Sequence, residues 1–251
     1  MTRLAVLSDI HGNLPALEAI LADIEKQGSP DAYWILGDLA AFLPWPVETL
    51  ARLRDLPNAA ILQGNTDRYL VTGRRPPMPI RSPEDWSAMP HMLNGRDANF
   101  RWTVELLPYS DYAFLRDLPP RLELDVPGYG RVLGVHAAPH DDESVLLADT
   151  PEAEILPHLA RLDVRLMLYG HIHRLVDRTV GNIRLISAGS AGLPLDGDAR
   201  PSYALLDFEG SECTLTLRRV VYDADKAKRE LERVSHPARE WIVARMDSAA
   251  P

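Results

Sequence analysis

Five polar motifs recur along this chain, each at the end of a short apolar run. Asp9-Ile10-His11 follows Arg3–Leu7, Gly37-Asp38 follows Ala32–Leu36, and Gly64-Asn65-Thr66-Asp67 follows Ala59–Gln63. His136 follows Arg131–Val135, and Gly170-His171-Ile172-His173 follows Leu166–Tyr169. Short apolar runs stopped by Gly, Asn or Asp read as buried β-strands. Helical patterns lie between them. Leu14, Leu17, Leu21 and Ile24 share one face, with Asn13 placed to cap, Pro15 in the first turn and Gly28 at the stop. A second helix is expected near Val47–Arg54. This alternation predicts an α/β fold with parallel strands. In open α/β sheets ligands collect beyond the carboxyl ends of the strands. The pattern therefore sends two Asp, one Asn and four His toward one edge.

Residues Arg74–Asn94 break the rhythm. They hold Pro76, Pro77, Pro79, Pro83 and Pro90, interleaved with Trp86, Met89 and Met92. The composition predicts an irregular insertion at 74–94, with a lid over the site as its functional reading. Helical patterns return at Ala98–Leu107, Tyr109–Leu118 and Glu152–Leu162. The run Pro127-Gly128-Tyr129-Gly130 predicts a hairpin turn between strands Arg121–Val126 and Arg131–Val135. Four further strand-like runs, Val176–Val180, Ile183–Ser187, Tyr203–Phe208 and Cys213–Val220, precede a charged helical tail from Asp223 to about Met246. No repeat or linker divides the chain, so one domain over 1–251 is expected.

The chain has 251 residues, 46% of them hydrophobic, enough for one large core. Its net charge of −9 argues against a stable nucleic-acid complex or an anionic membrane surface. A phosphorylated small molecule is compatible with that charge, because bound cations invert the local field. One cysteine, Cys213, excludes an internal disulfide and suits a reducing compartment. Only four apolar residues precede Ser8, too few for a secretory signal. A cytoplasmic location is expected. The oligomeric state is not legible.

Carboxylate, carboxamide and imidazole ligands together suit Mn2+, Fe, Zn, Ni or Co better than Ca2+. The ordered motif set resembles the calcineurin-like metallophosphoesterases, over Arg3 to about Phe208. That resemblance implies a sandwich of two mixed β-sheets flanked by helices. It also implies two divalent metal ions per chain, with Mn2+ the first expectation and Fe, Zn, Ni, Co or Mg the alternatives. Asp9, His11, Asp38 and His173 would hold one ion; Asp38, Asn65, His136 and His171 would hold the other, with Asp38 bridging. The implied activity is hydrolysis of phosphodiesters or activated phosphomonoesters, by attack of a metal-bridging hydroxide on phosphorus. The run Ser187-Ala-Gly-Ser190-Ala-Gly192 resembles the family's Asn-Pro-Gly-Ser segment, and a Gly-rich turn packing near the site is the expectation for Ser190.

One position departs from the family pattern. Many members carry a His after the motif Asn, where it assists the leaving group; here Thr66 stands there. Thr66 is thus grouped with Asp38, Asn65 and Asp67 as a catalytic position with a changed role, and Asp67 is expected to orient its neighbours. His91, His140 and Arg200 are the candidates for contacting substrate. Two enzyme alternatives are a protein phosphatase and a dinucleoside-tetraphosphate hydrolase. A non-catalytic metal-binding scaffold on the same fold is the alternative of another class, and the filling of all seven ligand positions weighs against it.

Overall fold

The computed structural model describes residues 2–75 and 82–250. Ten strands form two five-stranded sheets. The first holds β1 (Thr2–Leu7), β2 (Ala32–Ile35), β3 (Ala59–Ile61), β9 (Ser202–Glu209) and β10 (Glu212–Arg219), in the order β10-β9-β1-β2-β3. The second holds β4 (Arg121–Val126), β5 (Gly130–Val135), β6 (Leu166–Tyr169), β7 (Leu175–Val180) and β8 (Ile183–Ala188), in the order β4-β5-β6-β8-β7. Each sheet pairs parallel at its centre and antiparallel toward an edge: β1 runs parallel to β2 and antiparallel to β9, and β6 runs parallel to both β5 and β8. The expected sandwich of two mixed sheets is the fold observed.

Side-chain alternation builds the layers. Leu4 and Val6 of β1, with Trp34 and Leu36, meet Leu166 and Leu168 of β6 and Ile186 of β8 between the sheets. The alternate residues of the first sheet, Ala5, Leu7, Tyr33 and Ile35, face helices α1 (Leu14–Gln27) and α2 (Pro46–Arg54). Met167 and Tyr169 of β6 face outward to Ile155 on α6 (Glu152–Leu159). Central strands covered on both sides are apolar at successive positions, which is why these runs stand out in the sequence. Asn13 caps α1, accepting from the Ala16 amide at 3.3 Å, as its position predicts.

The insertion is not irregular where it is described. Helix α4 runs from Pro83 to Leu106 and absorbs most of 83–94 together with the helix expected at 98–107. The reason is local. Ser82 accepts a hydrogen bond from the Asp85 amide at 3.1 Å, Pro83 occupies the first turn where its missing N–H costs nothing, and Glu84 and Asp85 face the positive end of the helix dipole. Pro83 is a start signal here. Pro76, Pro77 and Pro79 lie outside the described residues, and so does the side chain of His91. A further helix, α3 (Asn65–Thr72), begins inside a motif that reads as a loop, and α5 (Tyr109–Asp117) follows α4.

The tail forms α7 (Ala224–Arg233) and α8 (Arg239–Ser248), which pack Leu231, Ile242 and Met246 against Leu43 and Leu193. His236, between them, is buried rather than solvated, at 1% exposure, with its ring edge against Trp102 at 4.4 Å. Its Nδ1 accepts from the Ala238 amide at 3.2 Å, which leaves Nε2–H without a partner among the described residues. Burial pulls its pKa down to about 4. An unfolded imidazole takes up its proton near pH 6.5, so this group's contribution is complete above that pH and is lost as pH falls toward 4. Urea denaturation at pH 7 and pH 4.5 is expected to show a stability loss that is smaller by about 2 kcal/mol in His236→Phe. Equal losses in the two proteins would refute this assignment.

Candidate metal centre

Both sheets deliver the candidate ligands to one edge. Asp9, His11, Asp38 and Asn65 follow β1, β2 and β3, whereas His136, His171 and His173 follow β5 and β6. Five of these seven residues, Asp9, His11, Asp38, His171 and His173, have φ between 53° and 66°. Left-handed backbone at a non-glycine residue costs about 1–3 kcal/mol and persists only where its surroundings enforce it. Here they do. Asp9 N donates to Gly37 O at 3.0 Å, His11 N to Asp38 O at 2.9 Å and Leu43 N to His11 O at 2.8 Å, locking the first two ligand loops together. Ser190 Oγ donates to Asp9 O at 2.7 Å and accepts from Leu193 N at 2.8 Å, so Ser190 braces the loop as expected. Gly170 lets the last motif approach: a Cβ there would sit 1.8 Å from Ser8 Oγ and 2.7 Å from Asp9 Oδ2.

Asp67 does the same for Asp38. Its carboxylate accepts from Asp38 N at 2.8 Å, Leu39 N at 2.9 Å and Gly64 N at 3.0 Å. Burial, with Asp38 nearby, raises its pKa to about 7. The expected orienting role is thus a set of backbone bonds that present Asp38. Thr66 N donates to Asp38 Oδ1 at 2.8 Å, while the Thr66 hydroxyl is buried without a partner among the described residues.

Hydrogen-bond accounting of the four imidazoles identifies what the cluster is built for. A neutral ring has one N–H and one lone pair. His11 Nδ1–H donates to Ala41 O at 3.2 Å, His136 Nδ1–H to Leu36 O at 2.7 Å, His173 Nδ1–H to Leu193 O, and His171 Nε2–H to Glu143 O at 3.1 Å. Every N–H is then spent on a backbone carbonyl. The four remaining nitrogens face other acceptors. His11 Nε2 and His173 Nε2 stand 3.1 Å apart. His136 Nε2 and His171 Nδ1 lie 2.8 and 3.0 Å from Asn65 Oδ1. Asp38 reaches both groups, with Oδ2 3.6 Å from His11 Nε2 and Oδ1 3.5 Å from His136 Nε2. With all four rings neutral these lone pairs would repel unless positive charge lay between them, either a bound cation or a second proton on His136 and His173, whose pKa values the carboxylates raise. Metal–nitrogen bonds of about 2.1 Å meeting near a right angle set donors about 3 Å apart, which is the spacing found.

The carboxylates draw positive charge to the same place. Burial alone would depress His136, yet the Asp38 carboxylate overrides it and holds the ring near pKa 10. Asp9 likewise outweighs burial at His173 and raises it. Burial keeps His11 neutral, down to about 4, and lowers His171 as well. Burial pushes the Asp9 and Asp38 carboxyls up, but His173 and His136 respectively more than offset it, and both end below the ordinary carboxylate range. Two carboxylates hidden from water thus generate a field that retains cations. Ligand atoms of Asp9, His11, Asp38 and His173 lie within 4.8 Å of one another, which fits the residues to a divalent ion.

Other candidates fall elsewhere. Arg200 is exposed and held by Asp198 at 2.6 Å, so its guanidinium is committed to a surface ion pair rather than to the cluster. His140 is exposed, and among the described residues no hydrogen bond or ion pair joins it to the ligands. The partners that sequence reasoning missed are backbone carbonyls: Ala41, Leu36, Leu193 and Glu143 set every ring orientation. Glu143 carries the only side-chain signal, since its carboxylate binds Arg68 at 2.6 Å and Tyr69 at 2.7 Å on the helix that starts at Asn65.

Comparison with known proteins agrees with this geometry. An uncharacterized protein of Methanocaldococcus jannaschii is 28% identical, over 97% of this chain and 96% of its own. The crystal structure of a metallophosphoesterase from Sphaerobacter thermophilus matches with a TM-score of 0.75 at 25% identity, covering 99% of each chain. A hypothetical protein from Pyrococcus horikoshii matches in fold with a TM-score of 0.79 at 23% identity, over 94% of this chain and 95% of that one. The sequence profile of the calcineurin-like phosphoesterase superfamily domain matches residues 2–211. With its fold, its buried Asp and His cluster and that match, the chain belongs to the calcineurin-like phosphoesterase superfamily.

Proposed function

We propose that this protein hydrolyses phosphodiesters or activated phosphomonoesters with the help of two divalent ions, Mn2+ foremost. The observation that carries the reading is the convergence of the four imidazoles: one nitrogen of each meets a backbone carbonyl, and the other points into a cluster shared with Asp9, Asp38 and Asn65. Bound divalent ions supply Lewis acidity toward the phosphoryl oxygens and lower the pKa of water. The chain's own residues supply the rest. Asp38 is shared between two donor groups, and Asp67 fixes its backbone. The carbonyls of Ala41, Leu36, Leu193 and Glu143 hold the rings in the tautomers that leave one nitrogen of each free for a ligand bond. The substrate is a small phosphorylated molecule in the cytoplasm, with no nucleic-acid or membrane partner. Among the described residues no helix is long and apolar enough to cross a membrane.

Elemental analysis of protein dialysed with Mn2+ is expected to approach two ions per chain, and a panel of mono- and diesters is expected to be hydrolysed only in the loaded form. Zero metal at saturation would overturn the proposal. Leaving-group dependence gives a second check. Thr66 is a poor proton donor, and a positioned general acid is worth about 10²–10⁴-fold. A steep fall of kcat/KM with leaving-group pKa is therefore expected, and Thr66→His is expected to flatten it. A shallow slope in the unmodified protein would show that another acid already serves.

A further inference from the structure

His171 and His173 are near neighbours in the chain, yet they join different donor groups, His171 with Asn65 and His173 with His11. They are also aimed by different segments. His171 Nε2 meets Glu143 O at 3.1 Å, in the loop after β5, and His173 Nδ1 meets Leu193 O, in the loop after β8. Neither carbonyl belongs to a strand or helix, so no ladder of backbone bonds holds it in place.

An arginine holds each loop instead. Arg68, on α3, forks onto Asp142 with Nε and Nη2 at 2.6 and 2.8 Å, and its Nη2 also reaches Glu143 Oε1 at 2.6 Å. Tyr69 Oη donates to the same Glu143 oxygen at 2.7 Å and interacts with the Asn65 side chain one turn earlier. The start of α3, which carries Asn65, and the loop that aims His171 are thus fastened to each other. Arg219, on β10, pairs its Nη2 with Asp196 Oδ2, while its Nη1 donates to Asp198 O at 2.8 Å and Arg200 O at 2.9 Å. The same Asp196 oxygen accepts from Leu175 N at 3.3 Å, and Leu195 N donates to His173 O at 3.1 Å. The segment 193–196 is therefore laid along 173–175 and pinned to β10. The Arg219–Asp196 pair is 15% exposed on each side, and Arg68 and Asp142 are 31% and 28% exposed. Forked and partly desolvated, these are not the fully solvated pairs that contribute almost nothing.

We propose that Arg68 and Arg219 are positioning residues that set the affinities of the two ions separately, Arg68 through Glu143 and His171, Arg219 through Asp196, Leu193 and His173. This rests on the two-ion reading above. A ring that pivots loses its bond to the metal, so the groups that fix ring orientation are felt in metal affinity by about 10–100-fold. The two clamps share no residue, so loosening one leaves the other in place.

Calorimetric titration of the full chain with Mn2+ tests this, with His173→Ala identifying the step that belongs to the His11/His173 group. Arg68→Ala is expected to weaken the other step by about tenfold or more and to leave this one within about twofold; Arg219→Ala is expected to do the reverse. Arg68→Lys and Arg219→Lys keep the charge without the fork and are expected to recover part of each loss, and they carry the comparison if an Ala variant fails to fold. Imidazole nitrogen NMR of the metal-free chain adds a readout that a general loss of stability would not move selectively. Arg68→Ala is expected to shift the ring nitrogens of His171 and spare those of His173, and Arg219→Ala to shift those of His173 and spare His171. Both steps weakened alike by each variant, or neither step changed, overturns the proposal. An unmodified chain that binds no Mn2+ would instead overturn the two-ion reading, and the ring-nitrogen shifts then decide the positioning roles by themselves.

Discussion

Asp38→Ala is expected to abolish phosphoester hydrolysis, by about 10²–10³-fold or more, and to weaken metal binding at both donor groups. Among the described residues no other carboxylate lies within 4.0 Å of a ring nitrogen in both groups. Asp38 Oδ2 lies 3.6 Å from His11 and Oδ1 3.5 Å from His136, and Oδ1 also accepts from Thr66 N. Removing it deletes the charge that offsets two cations held close together, and also orphans a buried amide. His173→Ala is the informative comparison. Among the described residues the inward nitrogen of His173, Nε2, meets Asp9 Oδ1 at 3.3 Å and His11 Nε2 at 3.1 Å, so its loss is expected to weaken one ion and spare the other. Calorimetric Mn2+ titration of both variants resolves the two sites. Mild and equal losses in the two proteins would contradict the bridging role of Asp38.

Asp67→Ala is expected to be the most destabilising single change near the site that removes no ligand. Three buried amides, of Asp38, Leu39 and Gly64, would lose their acceptor at once. Each unsatisfied buried group costs about 1–3 kcal/mol, so a loss of about 3 kcal/mol or more is expected in urea denaturation at neutral pH. Metal affinity is expected to fall with it, since the left-handed turn at Asp38 depends on these bonds. Asp67→Asn keeps one acceptor oxygen and is expected to lose less in both measurements. An Ala variant as stable as the unmodified protein would show that the loop finds other partners.

The sequence carries some of these features openly and hides others. Strands β1, β2 and β6 announce themselves because both faces are covered, so apolar residues run on without interruption until an Asp or Gly stops them. The seven candidate ligands stood out for the same reason: they sit where those strands stop. Helix α3 was not, because Gly64-Asn65-Thr66-Asp67 carries turn residues, although Gly64 with Asp67 three positions on is also a helix start, with the Asp67 carboxylate reaching back to the Gly64 amide. Helix α4 was hidden by prolines whose meaning depends on position within a turn. The carbonyl partners of the four histidines leave no mark at all, since every residue has a carbonyl and only tertiary approach selects Leu36 or Glu143.

The split origin of the ligands has a mechanical consequence. Asp9, His11, Asp38 and Asn65 hang from one sheet, and His136, His171 and His173 from the other, while the sheets meet mainly through apolar side chains, with a few directional bonds such as Arg184 to Cys213 O at 3.1 Å. Oil-like contact alone tolerates sliding; coordination does not. Ions gripped by both sets would rivet the two sheets at one rim and leave the rest of the interface to apolar packing and a few hydrogen bonds. Chelation would then act as removal of a cross-link, and hydrogen exchange would quicken first at the ligand-bearing ends of β1 and β6, long before the protein as a whole lost its fold.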